Sequence, residues 1–382
     1  MHTVLVAGGG VGGLACAHRL SRRLAGSDRV VVFDHMPVHT FWPSLLWVMT
    51  GARRSSAVTR PFKDLRDARV EVVQAPVTAI DPKSKIIHAG GQTWAGEALV
   101  VALGAALDPD RIPGLGAEPG NFYTAGGAAA VWRELQALEH GRVVVAVPTT
   151  PFKCPAAPYE GAMLIDAYLR KRGRRARVSV ELWAAEPAPM AVAGPGVSAS
   201  VKEALARRDI AYYPGERLER VAGDRRQLEF AGHRPVSYDL LAYVPPHRVP
   251  EVVVSAGLAP VDGWVSVDRH TLETPHPGVY AIGDVVGIPL AMGKPLPKAG
   301  VFAFAEGEVV ADRIADQLAG RVPAADFDGR GECFIEMGRG QAGFARGDFF
   351  AEPAPAVRAY ASGRHWHAAK LAFERRWWSQ WW

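Results

Sequence analysis

The hydrophobic positions near the start of the chain form two short apolar runs separated by a stretch with helical spacing. The runs are residues 3–7 and Val30 to Phe33, and residues 14–24 between them place their apolar side chains at helical intervals. Short apolar runs bounded by turns are typical of strands that are buried on both faces of a parallel sheet. The pattern therefore predicts the opening β-α-β unit of a doubly wound sheet.

The same alternation recurs further along the chain and predicts an α/β fold. More apolar runs and helical patterns follow at residues 70–87, 98–103, 142–147, 159–172, 178–183, 237–246, 278–287 and 301–318. A strand-helix alternation that starts twice predicts two Rossmann-like dinucleotide-binding domains. A length of 382 residues also exceeds what one hydrophobic core usually supports. We expect a first domain split into 1–112 and 241–325, a second domain at 113–240, and a C-terminal segment at 326–382.

Three glycines stand between the first predicted strand and the first predicted helix. Gly8, Gly10 and Gly13 fit the spacing G-x-G-x-x-G, and Asp34 follows about 20 residues later, at the end of the second strand. This spacing allows a tight turn, close approach of the backbone to a pyrophosphate, and packing of the helix on the strand. The helix N-terminus then faces the phosphates, and the acid accepts from the ribose hydroxyls. The motif predicts a bound dinucleotide and by itself leaves FAD and NAD open.

Two later turns carry a resemblance that favours FAD. Residues 102–104, with the sequence ALG, end one predicted strand, and residues 278–285, with the sequence GVYAIGDV, end another. The whole chain resembles flavoproteins with two dinucleotide-binding domains, in which a strand ending in Gly-Asp places the Asp on the ribityl chain of FAD. The resemblance implies that Gly104, Gly283 and Asp284 bind FAD, with Ala-Leu-Gly standing where the family usually has Ala-Thr-Gly.

Lys298 precedes the helix predicted at residues 301–318. In the resembling flavoproteins the N-terminus of this helix points at the pyrimidine end of the isoalloxazine. A lysine there would stabilise negative charge on the reduced flavin, for the reason that oriented donors stabilise an oxyanion. We therefore expect Lys298 to bind the cofactor and to assist proton movement, with a solvated surface lysine as the alternative.

The corresponding turn of the second predicted domain has no glycine motif. After the strand at 142–147 the sequence reads PTTPFKCPAAPYEG, with prolines at positions 148, 151, 155 and 158. Prolines remove backbone donors and stiffen the loop, so a pyrophosphate would lack the N–H groups that it requires. NAD(P)H is therefore not expected as the electron donor. Cys154 stands in this turn, and Glu160 follows it.

Cys154 and Cys333 are candidates for redox chemistry, because a thiolate is a nucleophile and a flavin is an electrophile. The chain has one further cysteine, Cys16, whose apolar neighbours on the first helix predict a core position. Three cysteines are too few for a structural disulfide framework and fit a reducing compartment. A disulfide in this chain is therefore expected to be catalytic.

With these cysteines the resemblance becomes specific. The chain resembles sulfide:quinone oxidoreductases and the flavoprotein subunit of flavocytochrome c sulfide dehydrogenase, whose redox cysteines lie in a Cys-Pro-x-x-Pro-like loop and in the C-terminal region. The resemblance implies that Cys154 and Cys333 form the redox pair, that Glu160 lies beside the flavin, and that residues 295–303 (PLPKAGVFA) cap it. It also implies that sulfide or a related sulfur compound is oxidised to polysulfide or sulfur, with the electrons passing to a membrane quinone.

Two departures from the family leave the sulfur compound open. Many members carry a third cysteine before the second domain, and residues 121–127 contain none. A histidine often found after the second strand of that domain is also missing from residues 186–196 (EPAPMAVAGPG). The alternatives are a type II NADH:quinone oxidoreductase, which has the same two-domain fold, and a non-catalytic flavoprotein that keeps FAD as a redox-sensing module.

The end of the chain is rich in aromatic and basic residues. Residues 364–382 hold five of the eleven tryptophans, and helical spacing gathers Trp366, Phe373, Trp377 and Trp381 on one side, with Lys370, Arg375 and Arg376 supplying positive charge. A basic, tryptophan-rich amphipathic helix is typical of the membrane interface, where a quinone is found. The alternative is a helix docked on the body of the protein or on a second subunit.

Composition excludes several other classes. The net charge of +5 is spread over short basic groups without a nucleic-acid-binding motif, so nucleic acid is not an expected partner. No apolar run approaches the roughly 20 residues that a membrane span needs, and the chain opens directly into a strand without a signal peptide. We therefore expect a cytoplasmic protein bound peripherally to the cytoplasmic membrane. No metal site is expected, and homo-oligomerisation is left open.

Overall fold

The computed structural model describes residues 1–382, and its first domain is built on a five-stranded parallel sheet. In spatial order the strands are Val279–Ala281, Ala98–Val101, Thr3–Ala7, Arg29–Asp34 and Val70–Gln74. The central strand, Thr3–Ala7, and its neighbour Ala98–Val101 are buried almost throughout, as expected for strands covered on both faces. The carboxyl end of Thr3–Ala7 carries the glycine turn, so the candidate dinucleotide site lies at the usual edge of such a sheet.

Two long helices pack against each other beside this sheet. The helices Val11–Arg23 and Gly300–Leu318 approach closely because glycines face each other at the contact. A Cβ at Gly12 would lie 2.8 Å from the carbonyl oxygen of Ala303, and one at Gly307 would overlap the carbonyl oxygen of Gly12. The contact brings the N-termini of both helices to the same end of the sheet.

Smaller elements complete the first domain. An antiparallel meander and two short ladders flank the sheet, and their strands are Val77–Asp81, Ile86–Ala89, Gln92–Ala95, Val38–Thr40, Thr59–Pro61, Ala106–Leu107 and His247–Arg248. The short α-helices are Leu45–Met49 and Glu251–Ser255. Single 3-10 turns lie at Trp42–Ser44, Ser55–Val58, Phe62–Asp64, Pro109–Arg111, Leu115–Ala117, Ala191–Ala193, Gly223–Arg225 and Gly283–Val285, the fifth, sixth and seventh of them in the second domain.

The second domain has a four-stranded parallel sheet. Its strands, in spatial order, are Ala211–Pro214, Val178–Ala184, Gly141–Val147 and Leu240–Tyr243. The helices Ala125–Ala137, Ala157–Lys171 and Pro195–Ala206 pack around it, and an antiparallel meander is formed by Leu218–Ala222, Gln227–Phe230 and Val236–Ser237.

The predicted return to the first domain at residue 241 is wrong by a few residues. The strand Leu240–Tyr243 pairs with Gly141–Val147, so it belongs to the second sheet. The chain crosses back later, where His247–Arg248 pairs with Ala106–Leu107 of the outgoing crossing. A fully buried four-residue apolar run has the same appearance in either sheet, which is why the sequence pattern could not assign it.

The C-terminal segment consists of an antiparallel sheet and a terminal helix. The strands are Arg330–Gly338, Gln341–Asp348 and Ala356–Gly363, and the helix is Arg364–Trp381. The strand Arg330–Gly338 lies on the helix Ala157–Lys171 of the second domain, where Gly338 allows close approach because a Cβ there would overlap the side chain of Ala167. The predicted fold class, two Rossmann-like domains followed by a C-terminal segment with a helix, is confirmed. None of the helices combines the length and the hydropathy required to cross a bilayer.

Candidate flavin and thiol site

The glycines of the first motif are needed for two different structural reasons. Gly8 has φ +111°, and a Cβ there would overlap the carbonyl oxygen of Ala102, while a Cβ at Gly13 would overlap the carbonyl oxygen of Gly8. These two glycines are required by the packing of the chain on itself. Gly10 differs, because a Cβ there would meet no atom within 4 Å. Its surface is therefore open to a ligand, at the N-cap of the helix Val11–Arg23.

Asp34 supports this turn. Its Oδ2 accepts a hydrogen bond from the Gly9 amide at 2.9 Å, and its Oδ1 accepts one from the Met36 amide at 2.8 Å. A carboxylate has about four acceptor positions, so Asp34 keeps capacity for ribose hydroxyls. The role of Asp34 toward a ribose stays a prediction.

The turn that contains Asp284 also fits a flavin nucleotide. Gly283 has φ +75° and its amide donates to Glu306 Oε2 at 2.5 Å, which fixes the start of the turn. The carboxylate of Asp284 pairs with no other residue of the chain and stays available to a ligand hydroxyl. Gly104 has φ +66°, and a Cβ there would likewise meet no atom within 4 Å, so this glycine borders open space. The residues present therefore fit FAD.

Lys298 lies in this region and is buried, so the alternative of a solvated surface lysine does not apply. Its side chain is 6% exposed. The ammonium donates to the carbonyl oxygens of Asp284 at 2.7 Å and Val286 at 2.9 Å, and it lies 3.4 Å from the centre of the Trp264 ring. Burial lowers the pKa of Lys298 to about 8. Two of its three donors are engaged by backbone carbonyl oxygens, so the ammonium holds the Asp284 turn in place.

A buried acid that the sequence analysis did not predict, Glu306, lies beside the Gly283–Asp284 turn. Glu306 is on the helix Gly300–Leu318 and receives the Gly283 amide. Burial raises the pKa of Glu306 to about 7. In the sequence this residue is one of several acids on an amphipathic helix, so nothing local distinguishes it. Its function in the structure is to accept from the Gly283 turn.

The second turn is filled by protein side chains. Phe152 and Tyr159 are buried there, and the Tyr159 hydroxyl donates to Glu186, which follows the strand Val178–Ala184 as Asp34 ends its own strand. In an NAD-type domain the acid at this position would accept from a ribose. Here it is buried against tyrosine, and burial raises the pKa of Glu186 to about 7. Glu186 is thus engaged by a protein hydroxyl at the position where a nucleotide ribose would need a free acceptor.

Cys154 is held through its backbone at the end of that turn. Its amide donates to the Lys298 carbonyl oxygen at 2.7 Å, and its own carbonyl oxygen accepts from the Ala157 amide at 2.9 Å and from the Tyr123 hydroxyl at 3.3 Å. The residue has φ +52°, a conformation that costs of order 1 kcal/mol or more for a side chain other than glycine and persists only where its surroundings hold it. The hydrogen bond to Lys298 ties the cysteine turn directly to the predicted flavin-capping segment.

Cys333 comes from the C-terminal strand Arg330–Gly338 and borders the same apolar core as Cys154. Both are free thiols, close enough that a charge on Cys154 would act on Cys333. Burial raises the pKa of Cys154 to about 12, with a further contribution from Glu160, and burial together with Cys154 and Glu160 raises that of Cys333 well above its usual value. In this state both residues are protonated thiols at neutral pH.

A buried acid-base cluster lies beside the two thiols. Glu160 is 2% exposed, and its Oε1 accepts from Lys370 Nζ at 2.9 Å and from the Glu336 amide at 2.7 Å. His367 Nδ1 lies 3.0 Å from Glu336 Oε1. Burial alone would lower the pKa of Lys370, but Glu160 and Glu336 outweigh it and the pKa is raised. Lys370 is therefore charged, and it lowers the pKa of both thiols relative to burial alone.

The tail does not have the predicted exposed aromatic face. Trp377 and Trp381 are buried against Leu14, Phe41 and Phe62 of the first domain. Lys370, which the sequence suggested as a surface cation, is buried in the ion pair with Glu160. The apolar stripe of the helix therefore packs mainly on the body of the protein, which was the alternative interpretation. Phe373, Arg375 and Arg376 remain exposed.

The fold and these turns define a flavin-dependent oxidoreductase with two dinucleotide-binding-type domains, of which the first is open to a dinucleotide and the second is filled. The sequence profile described as pyridine nucleotide-disulphide oxidoreductase matches residues 2–307, so the chain belongs to that family. FAD is its cofactor.

Comparison with individual proteins extends the likeness over nearly the whole chain. The mouse mitochondrial sulfide:quinone oxidoreductase is 27% identical over 365 residues, which cover 92% of this chain and 79% of the relative. The sulfide-quinone reductase of Aquifex aeolicus is 28% identical, with 97% and 89% covered. The crystal structure of the sulfide:quinone oxidoreductase from Aquifex aeolicus superposes with a TM-score of 0.88 at 25% identity, covering 98% of this chain and 90% of that one. The predicted family resemblance is confirmed.

Proposed function

We propose that the chain is a sulfide:quinone oxidoreductase whose redox pair is Cys154 and Cys333. The observation that carries the proposal is that two cysteines distant in sequence border one core beside the Glu160–Lys370 pair. A cysteine that served only packing would not require a backbone at φ +52°, held from three sides. The similarity to proteins named for sulfide and quinone supports the choice of substrates.

The chemistry begins from the oxidised pair, in which a disulfide joins the two sulfurs. Hydrosulfide attacks one sulfur, the S–S bond breaks, and the products are a persulfide on one cysteine and a thiolate on the other. A second hydrosulfide attacks the outer sulfur of the persulfide and leaves as hydrogen disulfide, so both cysteines are then reduced. When bound, FAD supplies the acceptor for the two electrons released as the disulfide re-forms, and the donor that reduces a quinone.

The reduced pair must lose two protons as the disulfide re-forms. Because burial keeps both thiols protonated, a nearby base is required. We assign Glu160 to this role, with Lys370 holding its carboxylate and with Glu336 and His367 as the next members of the cluster. Lys298 is assigned a positioning role, because its ammonium holds the Asp284 turn and its carbonyl holds Cys154.

The proposed quinone approach is the exposed side of the terminal helix. Phe373 is 44% exposed, stands one turn after Lys370, and contacts Phe41 and Phe334, the latter directly after Cys333. An apolar quinone ring would contact such side chains favourably. Arg375 and Arg376 lie beside Phe373 and would meet anionic lipid. We propose that this strip places the enzyme peripherally on the cytoplasmic membrane.

The function is tested by anaerobic titration of the purified flavoprotein. Sulfide should bleach the flavin absorption of the unchanged protein, and NADH should leave it unaltered. Cys154→Ser and Cys333→Ser should each slow bleaching by sulfide by at least about a hundredfold, while Cys16→Ser, in the core and away from the pair, should bleach at the normal rate. Bleaching of both serine variants at the unchanged rate would refute the cysteine pair, and bleaching by NADH would favour the type II NADH:quinone oxidoreductase.

Membrane contact requires a separate test that leaves the buried face of the helix intact. Arg375→Glu with Arg376→Glu should reduce co-sedimentation with anionic liposomes. The matched control reverses two exposed arginines of the second-domain meander, Arg217→Glu with Arg225→Glu. Equal sedimentation of the two double variants would remove the membrane proposal while leaving the sulfide chemistry untouched.

A further inference from the structure

His39 connects the terminal helix to the glycine turn. The residue lies on the short strand Val38–Thr40 and is 2% exposed. Its ring lies nearly parallel to two rings at the end of the chain, with centroids 5.7 Å from Trp377 and 5.3 Å from Trp382 and interplanar angles of 24° and 25°. No sequence pattern singled it out, because it stands in a short loop-like stretch far from the tail.

Both ring nitrogens of His39 have a partner, and the partners fix the tautomer. Nδ1 lies 3.1 Å from the carbonyl oxygen of Gly9, and Nε2 lies 3.3 Å from Nε1 of Trp377. A carbonyl oxygen only accepts and an indole N–H only donates. Nδ1 therefore carries the proton and donates to Gly9, while Nε2 presents its lone pair to Trp377. The ring is neutral, in agreement with its burial, which lowers the pKa of His39 to about 4.

The bond to Gly9 determines the direction of the next amide. A trans peptide is planar, and its C=O and N–H point in opposite directions. When the Gly9 carbonyl is held by His39, the Gly10 N–H points away from His39. Gly10 is the glycine that borders open space at the helix N-cap. The Gly9 amide is held independently by Asp34, so both peptide groups around Gly9 are fixed from outside the turn.

The terminal helix is anchored on both sides of His39, so it can serve as a fixed support. Trp382 Nε1 donates to the Pro61 carbonyl oxygen at 2.8 Å, and the Arg66 amide donates to the Trp381 carbonyl oxygen at 3.0 Å. The Trp381 ring is stacked on His18 of the first helix at 5.3 Å and 19°. These contacts join the end of the chain to the strand-turn-helix unit that carries the glycine turn.

We propose that the end of the terminal helix is part of the FAD-binding apparatus, because through His39 it orients the Gly9–Gly10 peptide toward the pyrophosphate. His39 and Trp377 are positioning residues in this arrangement. The proposal depends on FAD binding alone, and it holds or fails independently of the sulfide chemistry. It also gives the buried tryptophans a function distinct from membrane contact.

The test measures how fast FAD leaves the holoprotein, followed by the rise in flavin fluorescence on dilution. Trp377→Phe removes the indole N–H and replaces the double ring by a single one, and His39→Leu removes both hydrogen bonds; each should release FAD at least about tenfold faster than the unchanged protein. His39→Asn, whose amide can still donate to Gly9, should release FAD more slowly than His39→Leu. The control is Trp366→Phe, which removes an indole N–H that donates to the nearby Ala361 carbonyl oxygen at 3.1 Å, and it should release FAD at the normal rate.

Three outcomes would overturn the proposal. The first is release at the unchanged rate in both His39→Leu and Trp377→Phe. The second is equal acceleration in Trp366→Phe and Trp377→Phe, which would show a general weakening of the helix. The third is equal release from His39→Asn and His39→Leu, because the orientation of the Gly9 peptide would then not matter. Thermal unfolding of the holoproteins identifies any variant that fails to fold, and Trp377→Phe, which keeps an aromatic ring, remains informative in that case.

Discussion

The two strand-turn-helix units of this molecule have the same local architecture and opposite contents. In the first domain, residues 8–10 join Thr3–Ala7 to Val11–Arg23, and in the second domain, residues 148–156 join Gly141–Val147 to Ala157–Lys171. The first turn leaves Gly10 facing open space, while the second contains buried Phe152 and the backbone-held Cys154.

The difference shows how one architecture can serve two purposes. A dinucleotide site requires positions without a side chain, because the backbone or the phosphates must approach closely there, and glycine provides such positions. In the second domain, prolines and aromatic residues fill that space, so protein atoms and not phosphates lie at the helix N-terminus. The vacated turn then positions a cysteine and, shortly after it on the following helix, the buried Glu160.

The largest effect is expected in the filled second unit, from loss of the buried ion pair. Lys370→Met removes the cation bonded to Glu160 and leaves a carboxylate buried without a counter-charge. Breaking a buried pair from one side costs about 3–5 kcal/mol of unfolding free energy. Chemical denaturation at neutral pH measures the loss.

The matched control for the ion pair is a double-variant cycle. Glu160→Gln with Lys370→Met should recover much of the stability that Lys370→Met loses, because no buried charge remains. If the double variant is as unstable as the sum of the two single variants, the pair is not the reason for the loss. Sulfide-dependent bleaching should stay slow in the double variant, since the proposed base is absent.

The open first unit is tested at two glycines of the same motif, Gly13 in the helix and Gly10 at its N-cap. Gly13→Ala introduces a Cβ into the carbonyl oxygen of Gly8 and should destabilise the protein by about 1–3 kcal/mol, with loss of FAD. Gly10→Ala has free space in the chain, so unfolding of the FAD-free protein should be nearly unchanged while FAD affinity falls at least about tenfold. Tight FAD binding by Gly10→Ala would contradict the assignment of that surface to the pyrophosphate.

The sequence predicted the first unit better than the second, for a physical reason. The glycine turn, Asp34 and the adjacent strand and helix are local, so spacing alone specifies them. The cluster around Glu160 is formed by contacts between the second domain and the terminal helix. Lys370 was therefore interpreted as a surface cation, and no local signal distinguishes a lysine that pairs across about 200 residues from one in water.

The contacts of the tail and of Lys298 could not be predicted, for related reasons. An aromatic stripe at helical spacing is the same whether it faces lipid or protein, and here Trp377 and Trp381 face protein. Lys298 was placed correctly in the chain, but its ammonium is directed by the carbonyl oxygens of Asp284 and Val286, which a sequence does not display. The strand at Leu240–Tyr243 was assigned to the wrong sheet because burial hides its partner.

Acid should lower the stability that the buried, neutral His39 gives to the first unit. His39 has a folded-state pKa of about 4, below the unfolded value of about 6.5, so the unfolded chain binds the extra proton as the pH falls. Stability should therefore decrease between about pH 6.5 and pH 4, by up to about 3 kcal/mol from this residue. Denaturation curves at pH 7 and pH 4.5 should show a smaller loss in His39→Asn, and an equal loss would contradict the assignment.

The smallest effect is expected at Glu186, the acid of the second unit that is buried against Tyr159. Tyr159→Phe removes the hydroxyl that donates to Glu186, whose pKa is raised by burial to about 7. At pH 8 the carboxylate is charged, and loss of the donor should cost about 1–2 kcal/mol.

At pH 5 the same carboxyl is protonated in the folded protein, so Tyr159→Phe should cost less there than at pH 8. When the pKa of an acid is higher in the folded than in the unfolded state, the protein becomes less stable as the pH rises through that interval. Tyr159→Phe should steepen this loss, because the hydroxyl favours the charged form of Glu186. Tyr243→Phe is the control, since that hydroxyl donates to the neutral Glu118 carbonyl oxygen at 3.1 Å and its loss should cost the same at both pH values. If Tyr159→Phe shows the same pH-independent cost, Glu186 is not a buried acid held by tyrosine, and the second unit has kept more of a nucleotide site than its prolines indicate.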